Sequence, residues 1–250
     1  MIVLKTAREL KIMREAGRIA ANALKAAGAA VEPGVSTWEI SHVARRTIEQ
    51  AGAKPTFLGY GGYPASACVS VNNVVIHGIP SKKHIIREGD IVSIDVGATY
   101  EGFVGDNAYT FPCGKVSQEA QNLMDATRES LFEGIRAAVA GNRLGDIGSA
   151  VQKYAEARGY SVVRDYVGHG VGAKMHEDPS VPNYGTPGRG VRLLPGMTIA
   201  IEPMINQGVK EVKTLPDGWT TVTADGKLSA HFENSIAITP NGPVILTVAD

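Results

Sequence analysis

The stretch Asp90-Ile-Val-Ser-Ile-Asp-Val-Gly97, with Thr99-Tyr-Glu-Gly102 and the run from Phe103 to Phe111 behind it, decides the fold. Apolar residues alternate with small or polar ones from Asp90 to Gly97, the period of a strand with two unlike faces. Thr99-Tyr-Glu-Gly102 has turn composition, and Phe103 to Phe111 reads as the returning strand. A hairpin folded about residues 100 and 101 pairs Asp95 with Asp106, their β-carbons roughly 4.5–5.5 Å apart. Like charges facing each other across a ladder repel unless a cation lies between them. A hard divalent ion is the simplest such cation. The hairpin is therefore expected to form half of a metal site.

Three more side chains share this setting. His169, Glu202 and Glu233 each fall on an expected strand or strand end. Asp95 and Glu202 lie inside apolar runs, Ile94-Asp95-Val96 and Ile201-Glu202-Pro203, where a carboxylate needs a cation or a dense set of hydrogen bonds. Asp90, Asp165 and Asp178 read instead as ordinary surface charges. Four carboxylates and one histidine make an oxygen-rich donor set. One divalent ion rarely needs four carboxylates, whereas two ions about 3.5–4 Å apart, bridged by shared carboxylates, do. The set suits Mn, Fe(II), Co or Zn better than Mg, because of the histidine.

Outward from these residues the chain repeats itself. Helical spacing over residues 6–28 stops at Pro33-Gly34, and Ser36 or Thr37 caps a second helix running to Ala51-Gly52, with Glu39 in its first turn. Strands are expected near 65–76 and 90–111. The series then restarts, with helices at 117–139 and 144–158 and strands near 161–168, 197–206, 219–223 and 230–239. The two halves align without a gap at a spacing of 107 positions. Gly34 matches Gly141, Gly52 matches Gly159, Gly89 matches Gly196, and Asp95 matches Glu202. An internal duplication with pseudo-twofold symmetry places one acidic residue from each half at a shared cleft. Short antiparallel strands with helices on one side make the expected class α+β. One catalytic domain spans 1–250, its halves being approximately 1–115 and 116–250.

Composition narrows the function. At 250 residues and 44% apolar, the chain can bury a full core. With 25 basic and 25 acidic residues the net charge is zero, so nothing favours a nucleic-acid or membrane partner. The N-terminus has no apolar stretch of a signal peptide, and no apolar run reaches the ~18 residues of a membrane span. Cys68 and Cys113 form no CxxC pattern and fit a reducing, cytoplasmic setting. Gly168-His-Gly-Val-Gly172 lacks the full spacing of a nucleotide loop, and its glycines are expected to let backbone approach the ions. His176-Glu177 lacks the second histidine of a zincin helix, and no GxSxG is present.

Several separated motifs in order carry a resemblance. These are Val71-Asn-Asn-Val-Val-Ile-His-Gly-Ile-Pro80, Ile94-Asp-Val96 with Asp106, Gly168-His-Gly170, Met175-His-Glu177, Ile201-Glu-Pro-Met204 and Phe232-Glu233. Together they closely resemble type I methionine aminopeptidases of the bacterial type, over almost the whole chain. The resemblance implies the pita-bread fold with two pseudo-symmetric halves around a central metal cleft. It implies that Asp95 chelates one ion, that Asp106 and Glu233 bridge two, and that His169 and Glu202 complete the other. A water or hydroxide bridging the metals would attack the peptide carbonyl, with Glu202 shuttling the proton. His77 and His176 would flank the scissile peptide. Phe57, Tyr60, Tyr63, Cys68, Met175 and Trp219 would wall the methionine pocket, whose apolar lining suits a thioether. The substrate would be the N-terminal methionine of nascent polypeptides, met at the ribosome, and the enzyme a cytoplasmic monomer.

This chain departs from the family pattern at Met175, where an aromatic residue is frequent, and at Asn234, where a histidine is common. It lacks the zinc-binding extension and long insert of type II members. Two rivals share the fold: a proline-specific dipeptidase, which usually carries an extra N-terminal domain, and a non-catalytic binding protein, which would have lost ligands.

Overall fold

A computed structural model describes residues 1–250. The first half contains α1 (Ala7–Ala29), α2 (Thr37–Gln50), β1 (Lys54–Pro55), β2 (Cys68–Val71), β3 (Val74–Ile76), β4 (Ile91–Tyr100) and β5 (Phe103–Pro112). Next come α3 (Gln118–Ala137), α4 (Leu144–Glu156), β6 (Ser161–Val162), β7 (Gly168–Gly170), β8 (Glu177–Val181) and β9 (Thr198–Ile201). The chain ends with β10 (Met204–Asn206), β11 (Val212–Thr214), β12 (Thr221–Thr223), β13 (Ser229–His231), β14 (Glu233–Thr239) and β15 (Gly242–Ile245). The four helices lie where their apolar spacing puts them. Thr6 and Glu9 cap α1 reciprocally, and Ser36 and Glu39 do the same for α2, each pair satisfying backbone N–H groups that the first turn leaves free.

Nine strands form one antiparallel sheet in the order β1-β4-β5-β14-β9-β7-β8, with β2 on β4 and β15 on β14. Alternation gives that sheet two faces. Val92, Ile94, Val96 and Ala98 of β4 join a core under α1 and α2. Ile199 and Ile201 of β9, with Ile236 and Ile238 of β14, join a second core under α3 and α4. Both helix pairs cover the same face, as expected of an α+β chain. The opposite face carries Asp95, Asp106 and His169.

The hairpin register differs from the expected one. Glu101 and Gly102 are its two central residues, at φ 46° and 82°, a turn of the type that matches the twist of paired strands. The turn thus sits one residue later. Asp95 pairs with Ala108, and Gly97 pairs with Asp106. The two carboxylates are diagonal neighbours on one face rather than directly opposite. The expected strands at 161–168, 197–206 and 230–239 are each broken, the last two at Glu202-Pro203 and at Phe232.

Residues 107 positions apart adopt matching conformations. Gly34 and Gly141 have φ of 96° and 97°, and Gly89 and Gly196 both have 92°. Ser36 bridges Ile85 as Arg143 bridges Arg192. The Gly34 N–H donates to Ile86 as the Gly141 N–H donates to Leu193.

Where α1 crosses β5, two glycines allow the approach. A β-carbon on Gly105 would stand 2.4 Å from both N and Cα of Gly17 and 2.6 Å from the carbonyl carbon of Ala16. These are backbone atoms, so no side chain can swing aside. Gly105→Ala should therefore cost about 3 kcal/mol, the upper part of the range for overpacked cores. In a chain of this size that lowers the unfolding midpoint by roughly 6–12 °C. A calorimetric shift under about 2 °C would show that helix and strand separate freely at this point.

Candidate metal centre

Two adjacent rows of the sheet assemble the site. Asp95, Ala108 and Glu233 are cross-strand partners on β4, β5 and β14. In the next row Gly97 pairs with Asp106, and Ser235, Ala200 and His169 are partners on β14, β9 and β7. Small residues stand between the functional ones and leave room for them. Gly97 also admits the ring of Phe57, whose Cε1 would lie 2.6 Å from a β-carbon there. Ser235 holds Asp106 in place, its Oγ accepting from the Asp106 N–H at 3.1 Å and donating to the Asp106 carbonyl at 2.8 Å. Glu202 lies just past the end of β9, where Pro203 ends the ladder, and Asn183 Nδ2 donates to its carbonyl at 3.0 Å.

Ligand-type atoms of Asp106, His169 and Glu233 all lie within 4.8 Å of one another. His169 Nε2 is 3.5 Å from Asp106 Oδ2 and 3.6 Å from Glu202 Oε1. His169 Nδ1 is 2.8 Å from the Gly170 carbonyl, which turns Nε2 toward the carboxylates. Asp95 Oδ1, Asp106 Oδ1 and Glu233 Oε1 are buried and have no hydrogen-bond partner. Buried acceptors without donors are rare and costly. Divalent cations among them would satisfy such acceptors, so these residues fit the metals that the resemblance implies.

The glycines beside His169 serve another purpose than expected. A β-carbon on Gly168 would meet the Ala200 carbonyl at 2.3 Å, and one on Gly170 the Asp178 carbonyl at 2.2 Å. They let β7 fit between β8 and β9, and the close backbone approach is to neighbouring strands rather than to ions.

A cavity of about 140 Å³ opens onto this cluster. Its lining comprises Phe57, Tyr60, Tyr63, Cys68, His77, Asp95, Asp106, His169, Met175, His176, Glu202, Trp219 and Glu233. The structure thus brings together all thirteen residues expected at the site from the sequence. Tyr63 donates to the Gly78 carbonyl at 2.9 Å and meets Trp219 edge to face, with centroids 5.1 Å apart. Tyr60 OH lies 2.7 Å from His176 Nδ1, and the His176 ring is 4.2 Å from that of His169. His77, at φ 58°, stands edge to face with both Tyr166 and Trp219.

Burial dominates the electrostatics, and crowding of the acids adds to it. Burial, then Asp106 and Glu202, raise Asp95 well above the usual carboxylate range. Burial, then Asp106, Glu202 and Asp95, do the same to Glu233. Burial, opposed by His169 and reinforced by Asp106, pushes Glu202 to about 8. Burial disfavours charge on His169, but Asp106 and Glu202 outweigh it and raise the imidazole to about 9. Burial, with help from His176, takes His77 down to about 4.

Upward shifts have a testable sign. Glu202 and His169 in the metal-depleted fold keep protons that the unfolded chain releases near its reference values of about 4.3 and 6.5. The stability that these two groups contribute is therefore fully present below those values and is lost as pH rises through about 8 and 9. Thermal unfolding of metal-depleted protein should show a falling midpoint between about pH 6 and 9, and a divalent ion should abolish the fall. A midpoint that rises over that interval without metal would contradict this electrostatic account.

One residue of the site escaped the sequence analysis. His231, on β13, is 2% exposed, and its Nε2 lies 3.8 Å from Glu202 Oε2. Burial, then His77, push it down to about 3. A histidine two residues before Glu233 was the available signal, but only strand pairing brings it to Glu202.

Residues 11–240 match the model of metallopeptidase family M24. The methionine aminopeptidase of Clostridium perfringens is 54% identical over 99% of both chains. The crystal structure of the methionine aminopeptidase from Thermotoga maritima superposes with a TM-score of 0.97, at 47% identity over 99% of both chains. The prolidase of Pyrococcus horikoshii also superposes, with a TM-score of 0.80, but at 24% identity, covering 100% of this chain and 65% of that one. The last likeness carries the pita-bread fold alone. The full-length identity with methionine aminopeptidases carries more, and with it this chain belongs to metallopeptidase family M24.

Proposed function

We propose that this chain is a metal-dependent aminopeptidase that removes the N-terminal methionine from polypeptides. The observation that carries the reading is the cavity with one apolar wall that ends on buried, unpartnered carboxylate oxygens beside an imidazole. Asp95, Asp106, His169, Glu202 and Glu233 would hold two divalent ions, drawn from Mn, Fe(II), Co and Zn. Such ions polarise a scissile carbonyl and make water a nucleophile at neutral pH.

This chain's residues supply the rest. Phe57, Tyr63, Cys68 and Met175, all buried, with Tyr60 and Trp219 at the mouth, form a slot for an unbranched thioether side chain. A β-branched side chain would not fill its depth, and a charged one would lose its hydration without gaining a partner. His77 and His176 line the path between slot and acids, where each can hydrogen-bond the peptide. His176 is oriented by Tyr60. Glu202, whose Oε1 lies 3.6 Å from His169 Nε2 at the edge of the cluster, would take a proton and return it to the leaving amine.

The two halves, approximately 1–115 and 116–250, act in this reading as one catalytic domain, because the cavity draws residues from both. The substrate is a nascent polypeptide, met at the ribosome in the cytoplasm by a monomeric enzyme. Two free buried cysteines agree with a reducing compartment. A proline-specific dipeptidase is not favoured, since that likeness is confined to the fold. A non-catalytic binding role leaves the intact acid cluster without a purpose.

Metal-depleted protein should be inactive on both Met-Ala-Ser and Leu-Ala-Ser. Added separately, at least one of Mn, Fe(II), Co and Zn should restore cleavage of the methionyl peptide by at least ~100-fold, about 2.7 kcal/mol in barrier. Equal cleavage of both peptides, or activity indifferent to chelation, would overturn the reading.

A further inference from the structure

Glu202 faces two imidazoles. Its Oε1 lies 3.6 Å from His169 Nε2, and its Oε2 lies 3.8 Å from His231 Nε2. The metal centre accounts for His169. It does not account for His231, whose Nε2 is shut off from solvent and has no hydrogen-bond partner. A buried ring nitrogen is seldom left unpaired.

The backbone of His231 is pinned from the far side. Its N–H donates to Thr110 Oγ1 at 3.0 Å, and its carbonyl accepts the Thr110 hydroxyl at 2.9 Å. Ser93 Oγ lies 2.8 Å from the same oxygen. The Thr110 proton is already used on His231, so Ser93 donates and the chain of hydrogen bonds has one direction. His231 also pairs with Met204, two residues past Glu202. The backbone of His231 is thus fixed by Ser93, Thr110 and Met204, which lie outside the acid cluster, and the ring is left facing the Glu202 carboxylate.

We propose that His231 is a positioning residue, its neutral ring donating the Nε2–H to Oε2 of Glu202. This satisfies both groups and leaves Oε1 as the oxygen turned toward His169 and the cleft. A separation of 3.8 Å closes with a small rotation of the carboxylate, and such bonds commonly tighten when substrate binds. Outer partners of this kind orient a ligating carboxylate, and losing one typically costs 10–100-fold in metal affinity or activity.

The inference rests on the metallopeptidase reading, so its test includes measurements that do not need turnover. In the full-length protein, His231→Leu keeps the bulk and removes the donor, whereas His231→Gln keeps a donor. Calorimetric titration with Zn should show the Leu variant binding about 10–100-fold more weakly and the Gln variant within about threefold of wild type. On Met-Ala-Ser, kcat of the Leu variant should fall about tenfold or more with KM nearly unchanged, and Gln should restore most of it. Unaltered metal affinity and kcat in His231→Leu, or a Gln variant as impaired as Leu, would overturn the proposal. Should the Leu variant not fold, nitrogen NMR of Zn-loaded wild type decides, with the His231 signal assigned by its loss in the Gln variant. A proton on Nε2 supports the proposal, and a proton on Nδ1 sinks it. Wild-type protein that binds Zn but cuts no methionyl peptide would count against the aminopeptidase reading and leave the titration of the two variants fully readable.

Discussion

Asp106→Asn should lower turnover on Met-Ala-Ser at saturating metal by at least ~100-fold, about 2.7 kcal/mol in barrier. Asp106 is 1% exposed, one of its oxygens faces His169 at 3.5 Å, and the other has no partner. Its backbone is clamped on both sides by Ser235. An asparagine of the same shape keeps that clamp, so the fold should survive. What disappears is a negative charge placed between the other acids and the imidazole. Two cations would then be less compensated, and the amide nitrogen would turn a donor toward them. Metal analysis should show the loss of about one ion per chain, and circular dichroism should stay unchanged. A variant that keeps more than about a tenth of wild-type turnover would remove Asp106 from the centre of the site.

Acetylating the substrate amine should abolish cleavage, with acetyl-Met-Ala-Ser cut at less than ~1% of the rate of Met-Ala-Ser, again about 2.7 kcal/mol or more in barrier. The cavity holds only about 140 Å³ and ends on Asp95, Asp106 and Glu233. A methionine side chain in the slot directs its free amine to that acidic end. An acetyl group adds bulk where the cavity closes and removes the positive charge that the acids attract. The scissile bond itself is chemically untouched, so the effect isolates recognition of the terminus. Cleavage of the acetylated peptide near the free rate would make this chain an endopeptidase or a deacylase.

Much of the fold is legible along the chain because it is local. The apolar spacing of α1 to α4, the Thr6/Glu9 and Ser36/Glu39 caps, and the glycines at Gly34 and Gly141 act within a few residues. The acids are legible for a related reason. A carboxylate inside Ile94-Asp95-Val96 or Ile201-Glu202-Pro203 contradicts its surroundings, and the contradiction is visible without coordinates.

What stayed hidden depends on pairing. The hairpin register turned on whether residues 100 and 101 or Glu101 and Gly102 form the turn. The positive φ at both of the latter settled it and made Asp95 and Asp106 diagonal neighbours instead of partners. The glycines around His169 looked like an approach to ions, but they are required by the carbonyls of Ala200 and Asp178 on flanking strands.

By itself, the sequence determined the α+β class and the spacing of the repeat and marked five ligand-type residues, since each is written in residue type and period, whereas the lining of the pocket came from the resemblance to methionine aminopeptidases. Only the tertiary structure decided how they meet. The Tyr60–His176 bond, the rows joining Asp95 to Glu233 and Ala200 to His169, and His231 behind Glu202 all join residues far apart in the chain. Side-chain proximity across strands follows from hydrogen-bond register and turn conformation, and a one-dimensional pattern carries neither.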